Sequence, residues 1–228
     1  MLDHARDLES LREATERLLT AAARLDNASA AAASRLPGWS RGHVLAHLAR
    51  NADALVNVLE GRPMYPDAAT RDADIERDGP RPLDAQIEDV RATADHFQRV
   101  AAVPADWART VALRNGVTDV AARVPFRRLV EVSLHHVDLG IGLELEDLSD
   151  DFTAREIDFL TERFAGHADV PPLALATPDG HTWRTGRADG TAATVTGPPA
   201  DLMGWLAGRR TGSALKTSNP ALPVLPPL

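Results

Sequence analysis

The sequence predicts an α+β protein, with a four-helix bundle over residues 1–148 followed by a small α+β domain over residues 149–228. Three observations support this fold class. Four segments of the first part place apolar residues at helical spacing. One long connection between them lacks that period, an arrangement typical of helical bundles. After about residue 150, short segments rich in Thr, Val and Ala alternate with glycine turns, which favours strands.

The first two helices are predicted from leucine spacing and a capping residue. Residues 3–28 read as one helix, because charged residues separate Leu8, Leu11, Leu18, Leu19 and Leu25. After a loop at 34–40, Ser40 is a suitable N-cap for a helix that extends to about Leu59. Gly61 is the residue predicted to terminate this helix. The inner face of this second helix is predicted to carry Val44, His47, Leu48, Leu55 and Leu59.

The next predicted elements are a long connection and two further helices. Residues 61–82 are rich in proline and charge, and connections of that length tend to be functional. A third helix fits 83–102. The pattern weakens between 105 and 123, where a short extended piece fits. A fourth helix fits 125–143, with Pro125 in its first turn.

The C-terminal part is predicted to mix short helices and strands. A helix fits 153–166, and three strand-like segments follow, with a hairpin signal at Asp179 and Gly180. A second helix fits 198–209. The tail is too rich in proline for a helix or a central strand.

Composition excludes several classes of protein. The net charge of −8 argues against a nucleic-acid or anionic-membrane partner, since phosphate binding requires a basic surface. No run approaches 18 apolar residues and no signal peptide is evident, so we expect a cytoplasmic protein without a membrane span. The absence of cysteine excludes disulfides and a cysteine nucleophile, so any thiol chemistry needs an external thiol. We expect a monomer or a small homo-oligomer.

Two of the predicted helices carry a candidate metal site. Glu131 and His135 lie one turn apart on one face of the fourth helix, and His47 on the second helix is a candidate third ligand. Two histidines and one carboxylate leave coordination positions open, as catalytic metal sites do. Both segments are apolar, and burying a carboxylate without a partner is costly. Such a set suits zinc, but also iron, nickel or manganese.

Alternatives to this site are present in the same segments. His43 precedes His47 by one turn and is an alternative ligand, and Glu131 with His135 is also compatible with a surface pair. Asp138 is a candidate to orient a ligand histidine, or a solvated aspartate. His136 points away from His135 and is interpreted as a packing residue.

Four segments together resemble one known family. LPGWSRGHVLAHLARNADAL, MYPDAATRDADIERDG, RRLVEVSLHHVDLG and GWLAGRRTGSAL are similar to the mycothiol-dependent maleylpyruvate isomerase family, which pairs a DinB-like four-helix metal domain with a small C-terminal domain. The resemblance implies zinc bound by His47, Glu131 and His135, and mycothiol, the small thiol of actinobacteria, as cofactor. The family's essential C-terminal arginine falls best on Arg209, with Arg210 next.

The resemblance also implies an activity, the isomerisation of maleylpyruvate to fumarylpyruvate by reversible thiol addition. Arg209 is expected to hold a carboxylate of the dianionic substrate, the alternative being a solvated charge at a helix C-terminus. Arg71, Asp72 and Asp74 are candidates to contact the sugars of the thiol, unless their loop is simply solvated. Two alternative functions are a mycothiol S-transferase for electrophiles and a non-catalytic DinB-like metal-binding protein.

Overall fold

The computed structural model describes residues 3–103 and 105–227. The chain divides into two compact units, one that extends to Leu143 and one that begins at Glu144. The helices of the first unit are α1 (His4–Ala22), α2 (Asn27–Ala31), α3 (Arg41–Leu59), α4 (Ala68–Asp78), α5 (Leu83–Ala101) and α6 (Val124–Leu139). This helical unit and the mixed second unit confirm the predicted α+β class.

The four long helices α1, α3, α5 and α6 form the bundle. Helix α1 packs against α6 and α5, and α3 packs against the same two helices. Their facing surfaces are apolar and buried; examples are Leu11, Leu18, Val44, Leu48, Leu55, Val90, Phe97, Leu129, Val132 and Leu139. Burying each large side chain stabilises the fold by about 1.5–3 kcal/mol. Because α3 and α6 are neighbours, side chains on their facing surfaces can meet.

A capping box fixes the start of α3. The Ser40 hydroxyl accepts a hydrogen bond from the backbone N–H of His43 at 3.3 Å, and His43 Nδ1 accepts from the backbone N–H of Ser40 at 3.3 Å. Such caps contribute about 1 kcal/mol. The helix ends at Leu59, before Gly61 with its φ of +76°. The predicted bounds of this helix are confirmed, and the cap holds His47 in its second turn.

Two predicted helices are shorter than expected. The helix predicted over 3–28 is interrupted after Ala22, and α2 begins after Asp26, whose carboxylate accepts a hydrogen bond from the backbone N–H of Ser29 at 2.7 Å. The fourth helix ends at Leu139 rather than 143. Gly140 takes the left-handed conformation (φ +64°), which ends a helix with little strain only in glycine.

The predicted connection at 61–82 contains a helix, α4. The carboxylate of Asp67 accepts a hydrogen bond from the backbone N–H of Thr70 at 2.7 Å and caps its start. A Cβ at Gly42 would lie 2.2 Å from the carbonyl oxygen of Gly79, so the end of α4 approaches α3 as closely as a glycine allows. The buried Gln86 amide donates to the carbonyls of both glycines, at 3.2 and 2.7 Å. These contacts dock α4 against α3.

The weakly patterned segment before α6 forms a hairpin. Strands β1 (Thr110–Ala112) and β2 (Thr118–Val120) pair antiparallel. Asn115 and Gly116 both have positive φ, 58° and 74°, as Asn-Gly turns of hairpins do. The predicted extended piece is confirmed in this form.

The described residues of the second unit form a four-stranded sheet and two α-helices. The elements are α7 (Asp150–Phe164), β3 (Leu173–Ala176), β4 (Thr182–Thr185), β5 (Ala193–Thr196), α8 (Pro199–Leu206) and β6 (Lys216–Thr217). The strand order is β4-β3-β5-β6; β3 pairs in parallel with β5 and antiparallel with β4, and β5 pairs antiparallel with β6. The hairpin predicted at Asp179 and Gly180 joins β3 to β4, and the described part of the tail lacks regular structure. None of the described helices has the length and apolar character that crossing a membrane requires.

Candidate metal centre

The three predicted ligands meet between α3 and α6. His47 Nε2 lies 2.9 Å from Glu131 Oε2, and His135 Nε2 lies 3.3 Å from the same oxygen. The ligand atoms that the three residues offer all lie within 4.8 Å of one another. The two imidazole rings are 4.6 Å apart between centroids and nearly perpendicular. The structure therefore brings together the three residues that spacing alone could only suggest.

The chemistry and spacing of these donors fit a divalent metal ion. Zinc bonds to nitrogen and oxygen are about 2.0–2.2 Å long, so two ligands at a tetrahedral angle lie roughly 3.3 Å apart. The distances of 2.9 and 3.3 Å from Glu131 Oε2 to the two nitrogens come close to that value. Small side-chain movements would suffice for all three groups to hold one ion.

Asp138 supports one of the ligands from behind. Its Oδ2 lies 2.9 Å from Nδ1 of His135, and the residue is only 1% exposed. The carboxylate therefore accepts a hydrogen bond from the Nδ1–H group and leaves Nε2 to face Glu131. Carboxylates in this position fix the orientation of metal-binding histidines. Of the two interpretations of Asp138, the contact with His135 favours the orienting one.

The other two candidate histidines lie elsewhere. His43 Nδ1 is 2.6 Å from the Ser40 hydroxyl, and its Nε2 is 3.6 Å from Glu76, so its ring serves the helix cap and not the ligand cluster. His136 is buried, and burial, with a smaller contribution from Arg17, lowers its pKa to about 4. It is a neutral packing residue on the other side of α6.

The electrostatics of the cluster place the negative charge on Glu131. Burial alone would raise the pKa of Glu131, but hydrogen bonds from His135 and His47 hold it well below its usual value. Burial likewise acts to lower the pKa of His135, but bonds to Asp138 and Glu131 outweigh it and raise that pKa. Burial lowers the pKa of His47 to about 4. Near neutral pH, Glu131 is therefore ionised and His47 is neutral.

One side of the cluster is accessible. The Glu131 side chain is 34% exposed, whereas those of His47 and His135 are 7% and 10% exposed. The half-buried Trp39 ring lies against His47, at 5.5 Å between centroids. A small molecule can therefore approach over the Glu131 carboxylate, which is where a ligand from solution would have to enter.

Several residues of this region were not predicted from the sequence. Arg71, considered only as a loop residue, reaches from α4 to place Nη2 at 3.4 Å from His47 Nδ1. One turn further along the bundle, the buried Arg128 donates from Nη1 to Asn51 Oδ1 at 2.8 Å. Asn51 follows His47 by four residues and Arg128 precedes Glu131 by three, so helical spacing alone could have placed both next to the ligands.

Comparison with known proteins identifies the family. The model of the mycothiol maleylpyruvate isomerase N-terminal domain matches residues 11–140, and the model of the MDMPI C-terminal domain matches residues 147–223. The chain belongs to the mycothiol maleylpyruvate isomerase family. The resemblance read from the sequence is thereby confirmed.

Solved structures related to the chain are consistent with this family. A crystal structure of the mycothiol-dependent maleylpyruvate isomerase superposes with a TM-score of 0.88 at 25% identity, covering 100% of this chain and 98% of that one. A histidine-to-alanine mutant of that isomerase gives the same TM-score and coverages at 24% identity. A comparison with curated proteins finds no match.

The arginine pair of this isomerase-family chain lies just after α8. Arg210 forms ion pairs with Asp201 and Glu146, both at 2.7 Å, and so ties parts of the second unit together. Arg209 Nη1 donates to the carbonyl of Ala207 at 2.8 Å.

Proposed function

We propose that the protein is a mycothiol-dependent isomerase that converts maleylpyruvate to fumarylpyruvate at a zinc ion held by His47, Glu131 and His135. The observation that carries the proposal is the meeting of these three donor groups, with one accessible side, in a chain of the mycothiol maleylpyruvate isomerase family. Three protein ligands leave zinc a position for a further ligand, as in catalytic sites.

The residues of the chain have separate tasks in this proposal. His47 and His135 offer Nε2 lone pairs, Glu131 offers one carboxylate oxygen, and Asp138 holds His135 in the required tautomer. A bound divalent ion would lower the pKa of a thiol that coordinates it. The buried histidines and the half-buried Trp39 ring lie around the cluster. A thiolate, not a thiol, is the nucleophilic form of the cofactor.

The reaction itself is a reversible addition. The thiolate of mycothiol forms a C–S bond with one carbon of the cis double bond. The π electron pair of the double bond moves toward the conjugated carbonyl, which becomes an enolate. Rotation about the resulting single bond follows. The enolate then re-forms the double bond in the trans geometry, the C–S bond breaks, and the thiolate is regenerated without net oxidation or reduction.

Arg209 is proposed to hold a carboxylate of the substrate during this sequence. A guanidinium binds a carboxylate bidentately and stabilises an enolate as negative charge develops. The choice of Arg209 over Arg210 rests on the resemblance of the GWLAGRRTGSAL segment to the family.

The test replaces one histidine at a time. His47→Ala should lose bound zinc and mycothiol-dependent isomerisation together. His43→Ala is the matched control on the same helix, because its ring contacts Ser40 and Glu76 and not the cluster. It should keep both zinc and activity. Retention of zinc and turnover by His47→Ala would overturn the proposal.

The same assay distinguishes the alternative functions. An S-transferase would conjugate mycothiol to monochlorobimane with the same metal dependence but would not isomerise maleylpyruvate. A non-catalytic metal protein would bind zinc and show neither reaction. The accessible carboxylate of Glu131 argues against that last alternative, since structural zinc sites are closed by four protein ligands.

A further inference from the structure

We propose that Arg71 is a substrate-binding residue, which holds one carboxylate of a small dicarboxylate beside the metal ligands and is released for this task when a metal ion binds His47. The inference rests on the proposed function and extends it to a residue on α4. It concerns the helical unit alone.

The position of Arg71 is fixed by the elements around it. Helix α4 is capped by Asp67 and packed through the buried Ile75, and its C-terminal end lies against Gly42 of α3. The Arg71 side chain is only 15% exposed. One arm of its guanidinium, Nη1, contacts Asp72 Oδ1 at 2.7 Å, and the other arm, Nη2, lies 3.4 Å from His47 Nδ1.

The contact with His47 fixes the tautomer of that histidine without metal. A guanidinium only donates hydrogen bonds, so His47 Nδ1 must be the acceptor. The neutral imidazole then carries its proton on Nε2, which donates to Glu131 Oε2 at 2.9 Å. Arg71 thus stabilises the tautomer in which the metal-binding nitrogen is occupied by a proton.

Metal binding requires the opposite tautomer. A metal ion on Nε2 takes the lone pair there, so the single proton of the imidazole must move to Nδ1. An Nδ1–H group would then face the N–H groups of Arg71, and two donors cannot bond each other. The Arg71–His47 contact is lost, so Nη2 loses that acceptor, while Tyr65 and Asp72 still interact with the guanidinium.

The charges around the cluster favour an anion as the new partner. With a divalent ion bound, Arg71, the buried Arg128 and the ion bring four positive charges, and Glu131 and Asp138 bring two negative charges. The carboxylate of Asp53 acts on Arg128 more weakly than that of Glu131. The carboxylate of Asp72 beside Arg71 is 62% exposed, so solvent weakens its pull on the guanidinium. A small dicarboxylate has the charge and the planar oxygen pairs that an arginine binds.

The experiment measures maleate and zinc binding without any thiol, so that no reaction occurs. Calorimetry compares the wild type with Arg71→Met, Arg71→Lys and the control Arg77→Met, whose side chain lies on the same helix but is 62% exposed. Loss of a charge-assisted ion pair weakens binding about tenfold or more. We expect that loss for maleate on zinc-loaded Arg71→Met, partial recovery in Arg71→Lys, and wild-type binding in Arg77→Met.

Zinc affinity provides the second readout. Arg71→Met removes both a nearby positive charge and the donor that opposes the metal-binding tautomer, so zinc should bind several-fold more tightly. A merely structural role for Arg71 would weaken zinc and maleate binding together. Unchanged maleate binding by zinc-loaded Arg71→Met would overturn this inference while leaving the metal centre intact. Failure of the wild type to bind zinc would overturn the proposed function and this inference with it.

Discussion

Asp138→Asn tests how much of the metal affinity depends on the residue behind His135. The substitution keeps the size of a side chain that is 1% exposed but removes the negative charge of the carboxylate, whose Oδ2 accepts a hydrogen bond from His135 Nδ1 at 2.9 Å. Loss of such a partner weakens metal binding about 10- to 100-fold, or roughly 1.4–2.7 kcal/mol. We therefore expect zinc to bind Asp138→Asn about 10- to 100-fold more weakly than the wild type at pH 8.

The pH dependence gives this prediction a distinct signature. Asp138 helps to raise the pKa of His135, and a proton on His135 must leave before a metal binds. Wild-type zinc affinity should therefore decline as the pH falls through that raised pKa. In Asp138→Asn the pKa of His135 is lower, so the decline begins at a lower pH. The difference in zinc affinity between the wild type and Asp138→Asn should therefore become smaller as the pH falls from 8 to 6.

The assay is competition with a chromophoric zinc chelator across this pH range. Asp78→Asn is the matched control, because Asp78 is also a buried aspartate but pairs with Arg50 and Arg77 away from the cluster. Asp78→Asn should lower the free energy of unfolding without changing the zinc affinity. A zinc affinity of Asp138→Asn within twofold of the wild-type value at pH 8 would refute the reasoning. A difference in zinc affinity that stays constant with pH would refute it as well.

Two further predictions concern stability. The His136 pKa of about 4 lies below the ordinary value of 6.5, so the unfolded chain binds more protons and stability is lost as the pH falls from 6.5 toward 4. His136→Gln should reduce the loss between pH 7 and pH 5 by about 1–2 kcal/mol in urea titrations, and an unchanged loss would count against a neutral, buried His136. Gly42→Ala places a Cβ 2.2 Å from the Gly79 carbonyl oxygen. The substitution should lower the free energy of unfolding by about 1–3 kcal/mol in the same titrations. Wild-type stability would contradict the close packing of α4.

The candidate metal ligands were proposed from the sequence chiefly on helical spacing. Glu131 and His135 are four residues apart on a strongly apolar helix, so one face had to hold both. Spacing could not choose between His43 and His47, which share a face of α3. The choice depends on the capping box, in which His43 turns back to Ser40. Only the arrangement of α3 beside α6 brings His47 to Glu131.

The environment of the ligands was harder to predict. Helix α4 has a single large apolar residue, Ile75, so it shows little hydrophobic periodicity, and the sequence predicts a connection there instead of a helix. Its start signal, Asp67 before Thr70, is a local feature that many loops share. The contact of Arg71 with His47 depends on the close approach of Gly42 and Gly79, a tertiary feature that no periodicity reveals.

X-ray absorption spectroscopy of the zinc-loaded protein, with and without mycothiol, tests the central claim most directly. Two imidazole nitrogens and a carboxylate oxygen should surround the metal at about 2.0–2.2 Å, and mycothiol should add one sulfur at about 2.3 Å. Glu131→Gln should lose the ordered metal environment, while His43→Ala should keep it. A first shell without imidazole, or one that mycothiol leaves unchanged, would contradict a thiol-activating metal centre at His47, Glu131 and His135.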